Sequence, residues 1–135
     1  MKKMLIILLT LTVFNCSTDD DNSNTTTAEA TLIGRWHLVD FEDTILYQFT
    51  ADKRYTMYAT DGNFETLEAH IESGQLGNDW YYEGDKVTID LNFGTFSTLT
   101  PQFVCNNYVV NWLDDAGEIH STIFREDFDY STCNE

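Results

Sequence analysis

The sequence is short of positive charge. Against 23 Asp and Glu it carries 7 Lys and Arg, a formal net charge of −16. Such a chain repels phosphate backbones and has no Lys/Arg cluster to offset that repulsion, so nucleic-acid binding is excluded as a working role. Proline is nearly absent too, Pro101 being the sole example, and there are only three cysteines. No stretch reads as a Gly-rich phosphate loop, a nucleophile elbow or a D-x-[DN]-x-[DN]-G calcium loop. His37, His70 and His120 have no second ligand at helical or strand spacing, so neither a metal nor a cofactor is expected. The acidic residues are too many and too dispersed to single out a catalytic pair, and the chain reads as a binding protein rather than an enzyme.

Long apolar runs are missing as well. The longest, Met4 to Phe14, is interrupted by Thr10 and Thr12; as a helix it would span roughly 16 Å, about half of a bilayer's ~30 Å hydrocarbon core. Lys2 and Lys3 precede it and Cys16 follows, which is the layout of a signal peptide. A buried structural cysteine would need apolar neighbours on both sides, whereas Cys16 is followed by "STDDDN". The junction "VFNC" resembles the lipobox of bacterial lipoproteins, with Asn15 where Gly, Ala or Ser is usual. That resemblance implies that Cys16 receives a diacylglyceryl thioether and, after cleavage, begins the mature chain. The acidic stretch behind it is similar to the export signal of surface lipoproteins of the Bacteroidetes group. Together these imply an outer-membrane protein held by its acyl chains and facing the cell exterior, or alternatively the periplasm. Two or three chains give a stable anchor where one is marginal.

Without Lys2 and Lys3 the mature chain holds 23 acidic and 5 basic residues, a formal charge of −18. Its membrane partner is therefore reached through lipid, not through a basic face. Three units are expected: a signal peptide over 1–15, the lipidated Cys16 with an acidic, Thr-rich tether over 16–31, and a folded domain over 32–135. Residues 17–27 contain no apolar side chain able to offset their ordering entropy. Outside the cytoplasm, Cys105 and Cys133 are most simply a disulfide, worth roughly 3–4 kcal/mol for a loop of about 29 residues; two free thiols are the alternative.

From Leu32 onward, short segments rich in β-branched and aromatic residues alternate with turn chemistry. "GRWHLVD", "TILYQFT", "RYTMYAT", "DWYYEG", "KVTIDLN", "GTFSTLT", "NYVVNWL" and "EIHSTIF" each read as a strand. "TADKR", "TDGN", "EGDK" and "DDAGE" read as the turns between them. "NFETLEAHIESGQLG" is a short helix, with Phe64, Leu67 and Ile71 at helical spacing, or a further strand pair. The class is all-β and antiparallel, with eight strands and room for a ninth. Closure into a barrel removes the exposed edges, and an immunoglobulin-type sandwich is the other solution. The interior is expected to hold Trp36 and Leu38, Ile45, Tyr47 and Phe49, Tyr55 and Met57, Val87, Ile89 and Leu91, Tyr108, Val110 and Trp112, and Ile119 and Ile123. Within "NDWYYEG", Trp80 and Tyr82 must share one face and Tyr81 take the other.

At "LIGRWHLVD" the chain resembles lipocalin-like domains, which open with Gly-x-Trp, here Gly34 and Trp36. "ILYQFTADKRYTMY" and "YYEGDKVTIDL" are similar to hairpins of small lipocalin-like lipoproteins of the Bacteroidetes. The chain lacks the Thr-Asp-Tyr motif and the long C-terminal helix of the wider family. The resemblance implies that Arg125, in "IFRED", lies over Trp36 and closes the barrel floor. It also implies a small apolar or amphipathic ligand inside, with Trp80, Tyr82, Tyr47, Tyr55 and Tyr108 as candidate contacts. If the core is solid, the alternative is a carbohydrate-capture or protein-interaction module using exposed aromatics around Trp80 to Tyr82.

Overall fold

The computed structural model describes residues 28, 29 and 31–134; Cys16, the signal peptide and most of the tether lie outside them. Eight strands follow in order: β1 (Gly34–Leu38), β2 (Ile45–Phe49), β3 (Lys53–Tyr58), β4 (Asn78–Glu83), β5 (Lys86–Asp90), β6 (Phe96–Val104), β7 (Val109–Leu113) and β8 (Ile119–Arg125). Each pairs antiparallel with its neighbour and β8 returns to β1, closing a barrel. One helix, α1 (Leu67–Glu72), interrupts the strands, and a 3-10 turn (Tyr130–Thr132) ends the described chain.

The turns follow from local side chains. Asp114 Oδ1 accepts hydrogen bonds from the backbone N–H of Ala116 (2.9 Å) and Glu118 (3.0 Å), setting the β7–β8 turn. Between β6 and β7, Cys105, Asn106 and Asn107 all have positive φ (48°, 55° and 68°). Three successive left-handed residues without glycine are costly, and asparagine is the type that tolerates the region best. Cys105 is held there by its disulfide to Cys133, with a Cα–Cα distance of 5.7 Å. Pro101 lies in the part of β6 paired to β7 but beyond the β5 register, so its missing N–H leaves no gap on the β5 side.

Directly opposed residues of an antiparallel pair share a face, so the registers sort inside from outside. Trp36 opposes Tyr47 and Arg125; Phe49 opposes Arg54; Trp80 opposes Ile89; Val110 opposes Ile123. Leu32, Trp36, Phe49, Trp80, Val87, Ile89, Val110, Trp112 and Ile123 form one buried cluster, with Tyr47, Tyr82, Leu99 and Phe103 against it.

Two covers lie outside the barrel. The stretch from Ala59 to Gly77, including α1, flanks the outer side of β1–β3. There Leu46 and Met57 are fully buried, and Arg35 donates to Gln48 Oε1 and the Glu65 carbonyl (both 3.2 Å). Thr66 caps α1 by accepting from the Ala69 N–H. The ambiguous segment is thus a helix, but it buries His70, bonded to Glu65 Oε1 at 2.6 Å, and leaves Ile71 exposed. The second cover is the C-terminal tail, whose Tyr130 stacks on the outward-facing Phe124 at 5.2 Å.

Five interior expectations are corrected by this geometry. Tyr55 and Met57 oppose Gln48 and Leu46 on the outer face, so β3 turns Arg54 and Thr56 inward. Leu91 and Ile119 are exposed beyond β5 and at the start of β8. Tyr108 precedes β7 in the strained turn and is 44% exposed, stacked on Phe128 at 5.0 Å. The apolar pattern misplaced β3 because its outer side is buried too, under the α1 segment, so hydrophobicity alone could not tell the two faces apart.

Candidate functional site

At one end of the barrel Trp36 is wholly buried and donates its indole N–H to the Leu32 carbonyl at 2.7 Å. The Arg125 guanidinium lies over that ring, 4.1 Å from its centroid. Its Nη1 donates to the Ile33 carbonyl at 2.7 Å and its Nη2 to the Thr31 carbonyl. Gly34 makes this possible. Its φ is +132°, and a Cβ there would fall 2.0 Å from Arg125 Nη1, so any other residue would be strained and would collide. Gly34, Trp36 and Arg125 are therefore brought together as a floor. Tyr82 also points toward this end. Its hydroxyl is buried without a hydrogen-bond partner, and burial, with Glu29 nearby, pushes its pKa up to about 12.

The other end holds a cavity of about 120 Å³. Its base is apolar: Phe49, Val87, Ile89 and Leu99, closed by Trp112. Tyr47, Arg54, Ser97 and Ser121 supply the polar wall, and the exposed His120 stands at the rim. The registers explain this set, since Ser97 opposes Ile89 and Ser121 opposes Trp112. Arg54 enters through the β2–β3 hairpin. Thr50 caps the tip, its N–H donating to the Lys53 carbonyl and its hydroxyl accepting from the Lys53 N–H, so that Phe49 and Arg54 oppose one another on the inner face.

Arg54 lies 5.0 Å from the centroid of the Tyr47 ring. Its Nη2 donates to Asn78 Oδ1 at 3.3 Å, while Nε is shielded from solvent and has no partner. The ion pairs of the described residues involve Arg35, Lys53, His70 and Lys86, and none involves Arg54. Burial accordingly draws the Arg54 pKa below that of a free guanidinium, with Tyr47 and Tyr58 opposing, and burial raises that of Tyr47. A guanidinium remains protonated throughout the accessible pH range, so the cavity wall carries a fixed positive charge. The ladder beside it is short: β3 and β4 share only the pairs Lys53–Asp79 and Arg54–Asn78. Asn78 spans the seam, donating to the Asp90 carbonyl at 2.8 Å.

Of the expected ligand contacts, Tyr47 lines the cavity. Trp80 and Tyr82 share the inner face, but Trp80 is spent on the core: it meets Phe49 edge-on at 5.3 Å and donates to the Thr50 carbonyl at 3.0 Å. Tyr82 lies against the same cluster, so of "WYY" only Tyr81 is exposed. Tyr55 lies outside, edge-on to His70, and Tyr108 sits by Phe128 at the floor end. Arg54, Ser97, Ser121 and His120 were not anticipated. The available signal was the hairpin: if Phe49 faces in, the residue paired with it across a four-residue connection faces in as well.

Among the described residues no group of three His, Cys, Asp or Glu is placed to hold a metal ion, and no helix is long and apolar enough to cross a membrane. Compared with known proteins, the chain matches no family model, no curated protein and no solved structure.

Proposed function

We propose that this chain is a lipid-anchored lipoprotein of the outer membrane whose lipocalin-like barrel binds a small amphipathic molecule at the cell surface. The observation that carries the binding reading is the cavity of about 120 Å³ inside a closed barrel, apolar at its base and polar on one wall. Ligand sites have this character: a greasy pocket buries the body and a few fixed polar groups orient it. Occupants of drug size need roughly 300 Å³ or more, so this site suits a molecule near the size of benzene, which fills a void of about 150 Å³. The anchoring reading rests on Cys16 behind an apolar run too short to span a bilayer.

Two experiments test these halves separately. Titration of the isotope-labelled domain with small amphipathic compounds, followed by NMR, is expected to shift the Trp112 indole and the Leu99 methyls; if every compound leaves both unmoved, the binding reading fails. Metabolic labelling with palmitate is expected to mark the wild type and not Cys16→Ser, and a wild type that takes up no label contradicts the anchor.

A second reading draws on the outer surface, where Tyr55, Ile71, Leu76 and Phe93 border a cleft of about 580 Å³ and the last two are almost fully exposed. It makes the barrel a carbohydrate-capture or protein-interaction module. Loss of glycan or partner binding in Phe93→Ser, with Trp112 silent in the titration above, would favour it.

A further inference from the structure

We infer that the ligand of the mouth cavity is a small organic carboxylate, its anionic end bonded to Arg54 and its apolar body resting on Phe49, Leu99 and Trp112. The inference rests on the binding reading above and adds the charge of the occupant.

The argument begins with an imbalance. In a chain with 23 acidic residues and 7 basic ones, the average cation has several carboxylates to choose from. Arg35 pairs with Glu126, Lys53 with Asp79 and Lys86 with Asp115. Arg54, the cation inside the barrel wall, pairs with none of them, and one hydrogen bond to a neutral amide engages only one of its five N–H donors. A partly buried charge without a counter-charge, its Nε shielded from water and unpartnered, is costly, and truncating it to an apolar side chain of similar length would relieve that cost. Its position is nonetheless well defined. The Tyr47 ring lies beside the guanidinium, the Phe49 pairing sets its height, and Asn78 holds one edge. A donor set fixed in place and left unfilled is what a bidentate carboxylate site requires before its ligand arrives.

The surroundings select among anions. Inorganic phosphate is wholly polar and would leave the apolar base of the cavity unused, with the Tyr47 phenol, two serine hydroxyls and the rim imidazole to add to Arg54. A carboxylate with a short aliphatic or aromatic body uses both halves. The anionic surface opposes entry of any anion over long range, and that opposition is screened beyond about 8–10 Å at ordinary ionic strength, leaving the local contact to decide.

The test compares hexanoate with 1-hexanol at pH 7, where the acid is ionised, by calorimetry or NMR on the folded, disulfide-bonded domain. Hexanoate is expected to bind at least about tenfold more tightly, as a charge-assisted hydrogen bond implies. In Arg54→Met that preference is expected to vanish, and in Arg54→Lys, which keeps the charge without the planar fork, it is expected to shrink. If Arg54→Met does not fold, the Arg54→Lys result decides in its place, and a preference undiminished there overturns the inference. Equal binding of acid and alcohol by the wild type overturns the carboxylate inference and leaves the pocket reading standing. Binding of neither removes both. A preference that survives in Arg54→Met, or inorganic phosphate displacing hexanoate at equal concentration, also overturns it.

Discussion

The barrel contains two arginine–aromatic pairs, one at each end, and they differ in what the guanidinium does with its donors. Arg125 lies 4.1 Å over Trp36 and gives its N–H groups to the carbonyls of Thr31 and Ile33. Arg54 lies 5.0 Å from Tyr47 and keeps a shielded Nε that bonds to nothing. Both are drawn below the usual guanidinium pKa by burial. A cation over a ring contributes ~0.5–2 kcal/mol in either place. At the floor both terminal nitrogens bond backbone carbonyls, so the charge closes the structure. At the mouth one terminal nitrogen bonds the neutral Asn78 amide and Nε bonds nothing, so the charge is available. The same residue pair is a fastener or a binding group according to whether chain carbonyls come within reach of it.

Several changes would break or sharpen that contrast. The largest expected effect is at the floor: Trp36→Ala removes a wholly buried ring and should cost about 3–5 kcal/mol in a urea melt. Next is the tail. Replacing Cys105 and Cys133 together by Ala should cost about 2–4 kcal/mol, since a loop closed by residues 28 apart is released and the left-handed Cys105 loses its tie.

The two arginines should then differ in sign. Arg125→Met strands two carbonyls and is expected to destabilise by about 2–3 kcal/mol. Arg54→Met relieves an unpaired, partly buried charge and is expected to be neutral or to stabilise by up to about 2 kcal/mol. Each removes one positive charge, so the general effect on a strongly anionic protein cancels in the comparison. Losses of equal size would show that Arg54 is structural as well.

Smallest is Tyr82→Phe, which removes a buried hydroxyl without a partner and should change stability at pH 7 by less than about 1 kcal/mol. It should matter more in alkali. A phenol pushed to about 12 in the folded state titrates at about 10 when unfolded, so its contribution is full below pH 10 and is lost as the pH rises from 10 to 12. Thermal melts across that interval are expected to fall less steeply for Tyr82→Phe than for the wild type.

Much of the architecture was legible because two local signals agreed. Each of the eight expected strands overlaps an observed one, and "EGDK" and "DDAGE" lie at the turns where Gly84 takes φ +68° and Asp114 bonds the backbone ahead. The pairing of Cys105 with Cys133 is present, and Trp36, Arg125 and Gly34 do meet. The mouth was far less legible. Strand alternation has a period of two, so it leaves an ambiguity of one residue that only a difference in polarity between faces can remove. On β3 that difference is inverted: Tyr55 and Met57 are apolar and face outward beneath the α1 segment, whereas Arg54 is charged and faces inward. Hydrophobicity therefore pointed the wrong way at the strand that carries the proposed binding group. Strands whose pattern contradicts their placement are where function most often resides, because a residue chosen for packing alone would have followed the pattern.

The central claim is that Arg54, and not Arg125, meets the ligand. Proton–nitrogen NMR of the arginine Nε–H groups during a hexanoate titration reads both at once in the folded protein. The expected result is a saturable shift of the Arg54 signal with Arg125 and Arg35 unmoved; an Arg54 signal that stays fixed while hexanoate binds would contradict the account.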